Sequence, residues 1–293
     1  MKGNFSCCVH TFAPFALRLA SAPASVLHLV LHLSQAIFLF FAAVIAGILN
    51  SIAGGGSFVS FPALMFTGVP GVQANATNTV AVWPGLAATV STYFKRLHVP
   101  ARLLVPLIVT SVAGGFAGAL LLIKTPQRTF EHVIPWLLLG GTLLFAYGPR
   151  FRALAGKSGT GAPDLRKISW PALSAASLLQ LLVGTYGGYF GGGIGFVMMG
   201  MMAALGMTDI HNMNALRTLL AATINIVAVL TFIVAGAVLW PQCLVMIVGA
   251  MAGGWSGGHY AQKADPKKLR YVVILIGLAM TAYFFASAYS HRQ

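Results

Sequence analysis

The sequence is poor in acidic residues and in charge generally. Only 4 of its 293 residues are Asp or Glu, against 18 Lys and Arg, and 8% of the chain is charged while 58% is hydrophobic. Soluble domains carry roughly 25% charged residues. The composition therefore excludes an ordinary soluble domain and predicts a polytopic membrane protein. Because there is no soluble domain to present a basic face to nucleic acid, the formal charge of +14 indicates basic loops that set topology.

The sequence also lacks the residue patterns of metal sites and enzymes. Cys7, Cys8 and Cys243 provide neither a disulfide framework nor metal-ligand spacing, so we predict no metal and no cofactor. No zinc motif, P-loop or nucleophile signature is present, which argues against an enzyme. The four acids lie in loops or near the ends of apolar stretches: Glu131, Asp164, Asp209 and Asp265. Without a carboxylate in the middle of a span, cation transport and carboxylate proton relays are disfavoured.

Long apolar stretches are what the sequence has in abundance. A helix needs roughly 20 apolar residues to cross a bilayer core of about 30 Å. We therefore expect an all-α protein of about eight spans in two related halves, each half containing a helix broken by glycine. The predicted spans are 36–53, 74–94, 103–123, 132–147, 172–189, 215–234, 244–258 and 271–288. Two apolar pieces that are too short to cross, 58–67 and 195–205, are predicted to be half-helices.

The longest polar loop, residues 149–169, divides the chain into two predicted membrane repeats, 35–148 and 170–293. An N-terminal extension, residues 1–34, precedes them, and its role is unknown. An uncleaved signal-like segment, an amphipathic helix and a peptide upstream of the true start all remain open for it.

Basic loops predict topology for the first half only. The 95–102 and 149–169 loops are basic, so both are expected in the cytoplasm. With eight crossings the 259–270 loop should then lie outside, although it carries four basic residues against one acid. Either a glycine-rich segment adds or removes a crossing, or the two halves are inverted relative to each other.

The chain is organised around two glycine-rich breaks, one in each half. Gly54, Gly55, Gly56 and Ser57 follow the first span, and the triplet 191–193 follows the fifth. A similar polar motif follows each break at about the same distance, NATNT at 75–79 and NALRT at 214–218. Paired breaks in corresponding positions of two halves indicate a transporter's binding site. Their backbone N–H groups, followed by a helix start, would suit an anion, whereas close helix packing is the alternative role for glycines.

Polar residues near the breaks complete the predicted site. Arg217 stands about one turn inside the sixth span, and an Arg can bind an oxyanion through two parallel hydrogen bonds. Snorkelling to the membrane surface or pairing with Asp209 is the alternative. Asn225, eight residues after Arg217, lies on the same helix face. The candidate substrate-binding residues are Gly54, Gly55, Gly56, Ser57, Asn75, Thr77, Asn78, Gly191, Gly192, Gly193, Asn214, Arg217, Thr218 and Asn225.

These motifs resemble a known family. AGILNSIAGGGSFVSFPAL at 46–64, ANATNT at 74–79 and the second glycine run before NALRT are similar to the TauE/SafE family of sulfite-exporter-like permeases, over roughly residues 36–289. The resemblance implies a bacterial inner-membrane transporter of small anions, often sulfur-containing oxyanions or organosulfonates, commonly moved outward. Many relatives have an acidic residue where this chain has Asn50, so the resemblance does not extend to proton coupling at that position.

The sequence thus predicts an inner-membrane permease whose partners are a small anionic solute and the lipid bilayer, with no nucleic acid. Self-association into a homo-oligomer stays open. The competing hypothesis is a membrane assembly or binding subunit that transports nothing and uses its glycines for helix packing.

Overall fold

The structure is a computed structural model that describes residues 32–52, 55–94, 97–156, 168–260 and 266–290. Every element within these ranges is a helix. The helices are α1 Leu33–Ile52, α2 Ser57–Phe66, α3 Gly71–Phe94, α4 Ala101–Lys124, α5 Gln127–Gly156, α6 Trp170–Tyr189, α7 Ile194–Ala204, α8 Ile210–Val234, α9 Trp240–Tyr260 and α10 Pro266–Ser290. The N-terminal extension that we predicted at 1–34 lies almost entirely outside the described residues.

The predicted all-α architecture is confirmed in the described residues. Helices α2 and α7, with 10 and 11 residues, correspond to the two predicted half-helices, and the other helices correspond to the eight spans. Four stretches are long and apolar enough to cross a membrane by length and composition alone: Leu33–Asn50, Ala101–Lys124, His211–Val234 and Tyr271–Tyr289. Helix α5 extends well past its predicted range of 132–147, because helical hydrogen bonding continues into polar flanks that an apolar pattern leaves out.

Two tight helix crossings join the halves, and the helices in each run parallel. In the crossing of α4 with α6, a Cβ on Gly114 would be 2.9 Å from the Thr185 nitrogen, and one on Gly118 would be 2.7 Å from the Tyr189 nitrogen. The crossing of α1 with α9 has the same character, since a Cβ on Gly249 would be 2.5 Å from the Phe40 carbonyl oxygen. Small residues let helix backbones approach closely in membranes. In both crossings the first helix of one half packs on the fourth helix of the other.

Helices α3 and α8, which correspond to each other in the two halves, run antiparallel. The His98 backbone N–H, just after α3, donates to the Asn212 side chain at the start of α8, at 3.0 Å. At the other end, the Leu239 backbone N–H, just after α8, donates to the Thr77 hydroxyl near the start of α3, also at 3.0 Å. Corresponding helices that point in opposite directions mean that the second half is inverted relative to the first.

Helices α5 and α10 also correspond and also run antiparallel. The His132 and Tyr289 rings, at the start of α5 and the end of α10, have centroids 6.0 Å apart. Further along, a Cβ on Gly277 would contact the Thr142 side chain. The inverted relation therefore holds for two independent helix pairs.

Each half-helix turns the chain back toward the face from which the preceding long helix came. Helix α7 packs with the first turns of α4, α6 and α8, through side chains such as Met202, Leu103, Leu173 and Leu216. Helix α2 packs at the opposite end of the molecule, where the Phe61 ring centroid is 6.5 Å from Phe130, 5.6 Å from Phe190 and 6.5 Å from Phe284. Pairs α1–α2 and α6–α7 are therefore re-entrant hairpins.

This path answers the topology question left open above. We call the face where α5 ends and α6 begins the linker face, and the other the far face. Helices α3 and α9 also end at the linker face, and α4, α8 and α10 begin there. The helix ends that flank the three basic segments 95–102, 149–169 and 259–270 are thus all on one face, as the positive-inside rule requires.

The outer surface is apolar along the long helices. Phe41 on α1, Leu182 on α6, Val248 on α9 and Leu275 on α10 are all at least half exposed. Exposed apolar side chains are favourable in contact with lipid. In water, a protein with a surface so rich in them would aggregate. The interior is also largely apolar, with a smaller set of buried polar side chains such as Ser60, Asn75, Thr77 and Asn78.

Candidate functional site

The two glycine breaks meet inside the molecule, against the middle of α5. A Cβ on Gly141 of α5 would be 3.0 Å from the Phe58 ring and 3.1 Å from the Gly192 carbonyl oxygen. Phe58 is in the first turn of α2, and Gly192 lies two residues before the start of α7. The N-termini of both half-helices are thus near each other, and each carries the partial positive charge of a helix N-terminus. Gly141 was missed by sequence reasoning, because nothing in α5 marks it as the meeting point.

The first break is held by hydrogen bonds to its flanking helices. The Gly56 backbone N–H donates to the Asn50 side-chain oxygen at 2.9 Å, across the turn from α1. One turn into α2, the Ser60 hydroxyl donates its one hydrogen to the Asn78 side-chain oxygen on α3, and it also lies 3.2 Å from the Gly56 carbonyl oxygen. Gly55, Gly56 and Asn78 are buried. One of the N–H groups that we expected to face the solute is therefore already bonded to Asn50. Gly54 lies outside the described residues.

The second break needs glycine for its backbone shape. Gly191 and Gly193 have φ of +83° and +82°, a left-handed conformation that side chains with a Cβ rarely adopt. Gly193 is the N-cap of α7, and a Cβ there would be 2.8 Å from the Gly141 carbonyl oxygen. The second break therefore requires glycine for two reasons: the left-handed backbone conformation and the lack of room for a Cβ.

Arg217 lies directly on the start of α7. A Cβ on Gly195, the second residue of α7, would be 3.0 Å from Nη1 of Arg217 and 3.2 Å from its Cδ. The absence of a side chain at Gly195 leaves the space that the guanidinium occupies. Arg217 is half-buried and stands eight residues into α8. A full positive charge thus adds to the partial charge at the N-terminus of α7.

Several of the predicted polar residues are engaged in holding helices together. The Asn75 amide donates to the Tyr189 carbonyl oxygen at 2.8 Å, which ties α3 to the end of α6. Thr77 accepts from Leu239 as described above, and the Asn225 amide donates to the Ala221 carbonyl oxygen of its own helix at 2.8 Å.

The remaining predicted residues differ in burial. Thr218 is buried, while Ser57 and Asn214 are half-buried. Asp209 caps α8, since its carboxylate accepts from the His211 backbone N–H at 2.9 Å.

The structure therefore brings together two polar groups, each at one half-helix. The first consists of Asn50, Gly56, Ser60 and Asn78, and the second of Arg217 with Gly195. Asn50 and Ser60 were absent from the predicted site, although both stand in the GGGS motif region. Ser60 follows Gly56 by four residues, which is the helical spacing that places both on one face and would have been the signal.

Comparison with known proteins identifies the family of this chain. The family model described as "Sulfite exporter TauE/SafE" matches residues 39–284, which is most of the chain. The chain belongs to the TauE/SafE family. The matched range begins within α1 and ends within α10. It therefore includes both glycine breaks.

Curated relatives carry names of the same kind. "Probable membrane transporter protein ORF9" of Sinorhizobium sp. is 31% identical over 85% of this chain and 92% of its own length. "Probable membrane transporter protein YfcA" of Escherichia coli K12 is 31% identical over 83% of this chain and 87% of its own length. A "Probable membrane transporter protein" of Haemophilus influenzae is 28% identical over 83% and 92%. No solved structure matches the chain significantly.

Proposed function

We propose that this TauE/SafE-family chain is a permease of the bacterial inner membrane that moves a small anion, with sulfur-containing oxyanions or organosulfonates as the expected class. That the chain is a membrane transporter is supported by its family and by the names of its relatives. The anionic substrate is supported by one observation above the others, the contact of the Arg217 side chain with Gly195 at the start of α7.

The charge at this position favours an anion for an electrostatic reason. An Arg inside a membrane is costly and is therefore a candidate for function. Here it stands beside a helix N-terminus, which repels cations and attracts anions. Of the acids, Glu131 is exposed near the start of α5 and Asp209 caps α8. The sequence places no carboxylate in the middle of a helix that could reverse the sign of the site.

The inverted arrangement supplies a route for alternating access. The predicted repeats 35–148 and 170–293 each contribute one half-helix to the meeting point at Gly141. Rocking of one repeat against the other would expose a solute bound between the half-helices first to one face and then to the other. The two repeats contact each other in the tight crossings of α1 with α9 and of α4 with α6. These contacts would therefore have to shift when one repeat rocks against the other.

The test is anion flux into proteoliposomes with sulfite, sulfate, thiosulfate and methanesulfonate. We expect wild-type protein to move at least one of them, and Arg217→Gln to lower that flux about 10-fold or more, because a charge-assisted hydrogen bond of the bound anion is lost. Arg217→Lys should recover part of it, since the charge remains while the planar fork is lost.

Arg102→Gln is the matched control. Arg102 sits at the linker face, 5.1 Å over the Trp170 ring, and its loss removes the same charge away from the breaks. Its flux should stay near wild type. Equal flux in Arg217→Gln and wild type would show that Arg217 does not bind the anion. If well-inserted wild-type protein moved none of the anions, the assembly-subunit hypothesis would be favoured.

A further inference from the structure

Trp83 carries a buried hydrogen-bond donor without an acceptor. In the part of the chain that the structure describes, six buried side-chain polar atoms have no hydrogen-bond partner, and Nε1 of Trp83 is the one nitrogen among them. The other five are oxygens, in Gln73, Asn75, Thr142, Gln180 and Gln242. Buried donors are nearly always satisfied, so this indole N–H needs an acceptor that the described residues do not provide.

Trp83 stands at the level of the first break. Helices α2 and α3 form an antiparallel hairpin in which Ser60 bonds to Asn78. Trp83 follows Asn78 by five residues, about 7.5 Å farther toward the linker face. Gly56 precedes Ser60 by four residues, about 6 Å in the same direction. The indole is therefore level with the N-terminus of α2.

The neighbouring sequence interrupts α3 at the same level. Pro84 lies inside α3 and has no backbone N–H to donate to the Val80 carbonyl oxygen one turn earlier. The Trp83 ring packs against the same apolar cluster that holds α2, so its orientation is set by packing. Backbone interruptions inside a membrane are tolerated where they line a cavity or are covered by protein. A third interruption thus lies at about the depth of the first glycine break.

The chemistry of the indole selects the kind of acceptor. Its N–H donates and cannot accept, so it suits an anion or a carbonyl oxygen and offers nothing to a cation. It is also neutral, and so avoids the cost of a second buried charge. This inference rests on the anion permease proposed above. We propose that the Trp83 N–H donates a hydrogen bond to the transported oxyanion.

The variant Trp83→Phe tests this, because it keeps an aromatic ring and removes the donor. In sulfite, sulfate, thiosulfate and methanesulfonate flux assays, its KM for whichever anion the wild type moves should rise about 10-fold, as expected for one lost hydrogen bond to a charged group. The matched control is Trp136→Phe. Trp136 also donates from Nε1, to the Tyr289 hydroxyl at 3.3 Å, but its side chain is 57% exposed on the outside of α5. Its KM should be unchanged.

Equilibrium binding in detergent gives a second readout. Titration with the same anion should change the tryptophan fluorescence of the wild type and of Trp136→Phe, and this change should be lost in Trp83→Phe. If Trp83→Phe fails to insert, benzothienylalanine at position 83 replaces the N–H by sulfur in a ring of nearly the same shape, and it should give the same rise in KM.

The two proposals fail differently. Wild-type flux with an unchanged KM in the position 83 variants would overturn the role of Trp83 and leave the permease intact. Absence of flux and of binding for all four anions in well-inserted wild-type protein would overturn the permease and this inference with it. A rise in KM of equal size in Trp136→Phe would show a general effect of removing tryptophan and would also overturn the role of Trp83.

Discussion

At the scale of single residues, the first break is held by a neutral side chain. Asn50 accepts the Gly56 N–H at 2.9 Å, so it caps the turn between α1 and α2 without adding charge. A carboxylate at this position could do the same when ionised, but it would place a negative charge near the half-helices. The neutral amide keeps the local field positive, which agrees with an anionic solute.

Removing this cap should destabilise the break. In Asn50→Ala the buried Gly56 N–H loses its acceptor, at a cost of about 1–3 kcal/mol. We expect a lower thermal unfolding midpoint in detergent and reduced anion flux. Asn225→Ala is the control, because that amide bonds only to Ala221 within its own helix, so its loss should lower the midpoint much less. Equal shifts in the two variants would contradict the capping role of Asn50.

At the scale of helices, glycine is required where two backbones touch. A Cβ on Gly118 of α4 would overlap the Thr185 carbonyl oxygen of α6, and one on Gly253 of α9 would overlap the Val44 carbonyl oxygen of α1. The overlapping atoms belong to the backbone, so a side-chain movement cannot relieve them. These two crossings bring the halves together, and their spacing sets how the half-helices meet.

We therefore expect Gly118→Ala and Gly253→Ala to lower the amount of folded protein in the membrane and to reduce the unfolding midpoint, since overpacking of this kind costs about 1–3 kcal/mol or more. Gly200→Ala in α7 is the control. A Cβ there would meet nothing within 4 Å, and alanine is the better helix former by about 1 kcal/mol. Normal levels of Gly118→Ala would show that α4 and α6 separate more easily than the structure implies.

At the scale of the whole molecule, the two re-entrant hairpins decide the topology. Because α7 returns toward the linker face, α8 begins on the same face as α6. Without that return, α8, α9 and α10 would run in the same directions as α3, α4 and α5, and the 259–270 loop would lie on the far face. The inverted halves explain how a chain so rich in basic residues obeys the positive-inside rule.

Cysteine accessibility tests this topology. In a background that lacks Cys7, Cys8 and Cys243, single cysteines at Ser169 and Thr208 should react from the cytoplasmic side. Both residues are exposed, and they precede α6 and α8. A cysteine at Thr129, exposed at the start of α5, should react from the other side. Reaction of the cysteines at positions 169 and 208 from opposite sides would mean that α6 and α7 do not form a re-entrant hairpin.

Some parts of the site could be predicted from the sequence because they are local. These features depend only on neighbours along the chain. The apolar stretches indicated the spans, the two glycine runs indicated the half-helices, and the position of Arg217 indicated a cation at the second break. The bounds of the two repeats and the full list of substrate-binding residues stay predictions.

Other parts depend on contacts between distant residues. Thr77 bonds to Leu239, which is 162 residues away, and Asn75 bonds to Tyr189, which is 114 residues away. No local pattern could show that these two predicted ligands hold helices together, or that the described residues leave Trp83 without an acceptor.

By itself, then, the sequence determined that this chain lies in a membrane as helices with a break in each half, because hydropathy and glycine content act on each segment separately. Only the tertiary structure decided that the halves are inverted, that the breaks meet beside Gly141 and that Arg217 lies on Gly195. The physical reason is that the direction of a helix and the partner of a polar atom are set by packing between helices, and not by the residues of one helix alone.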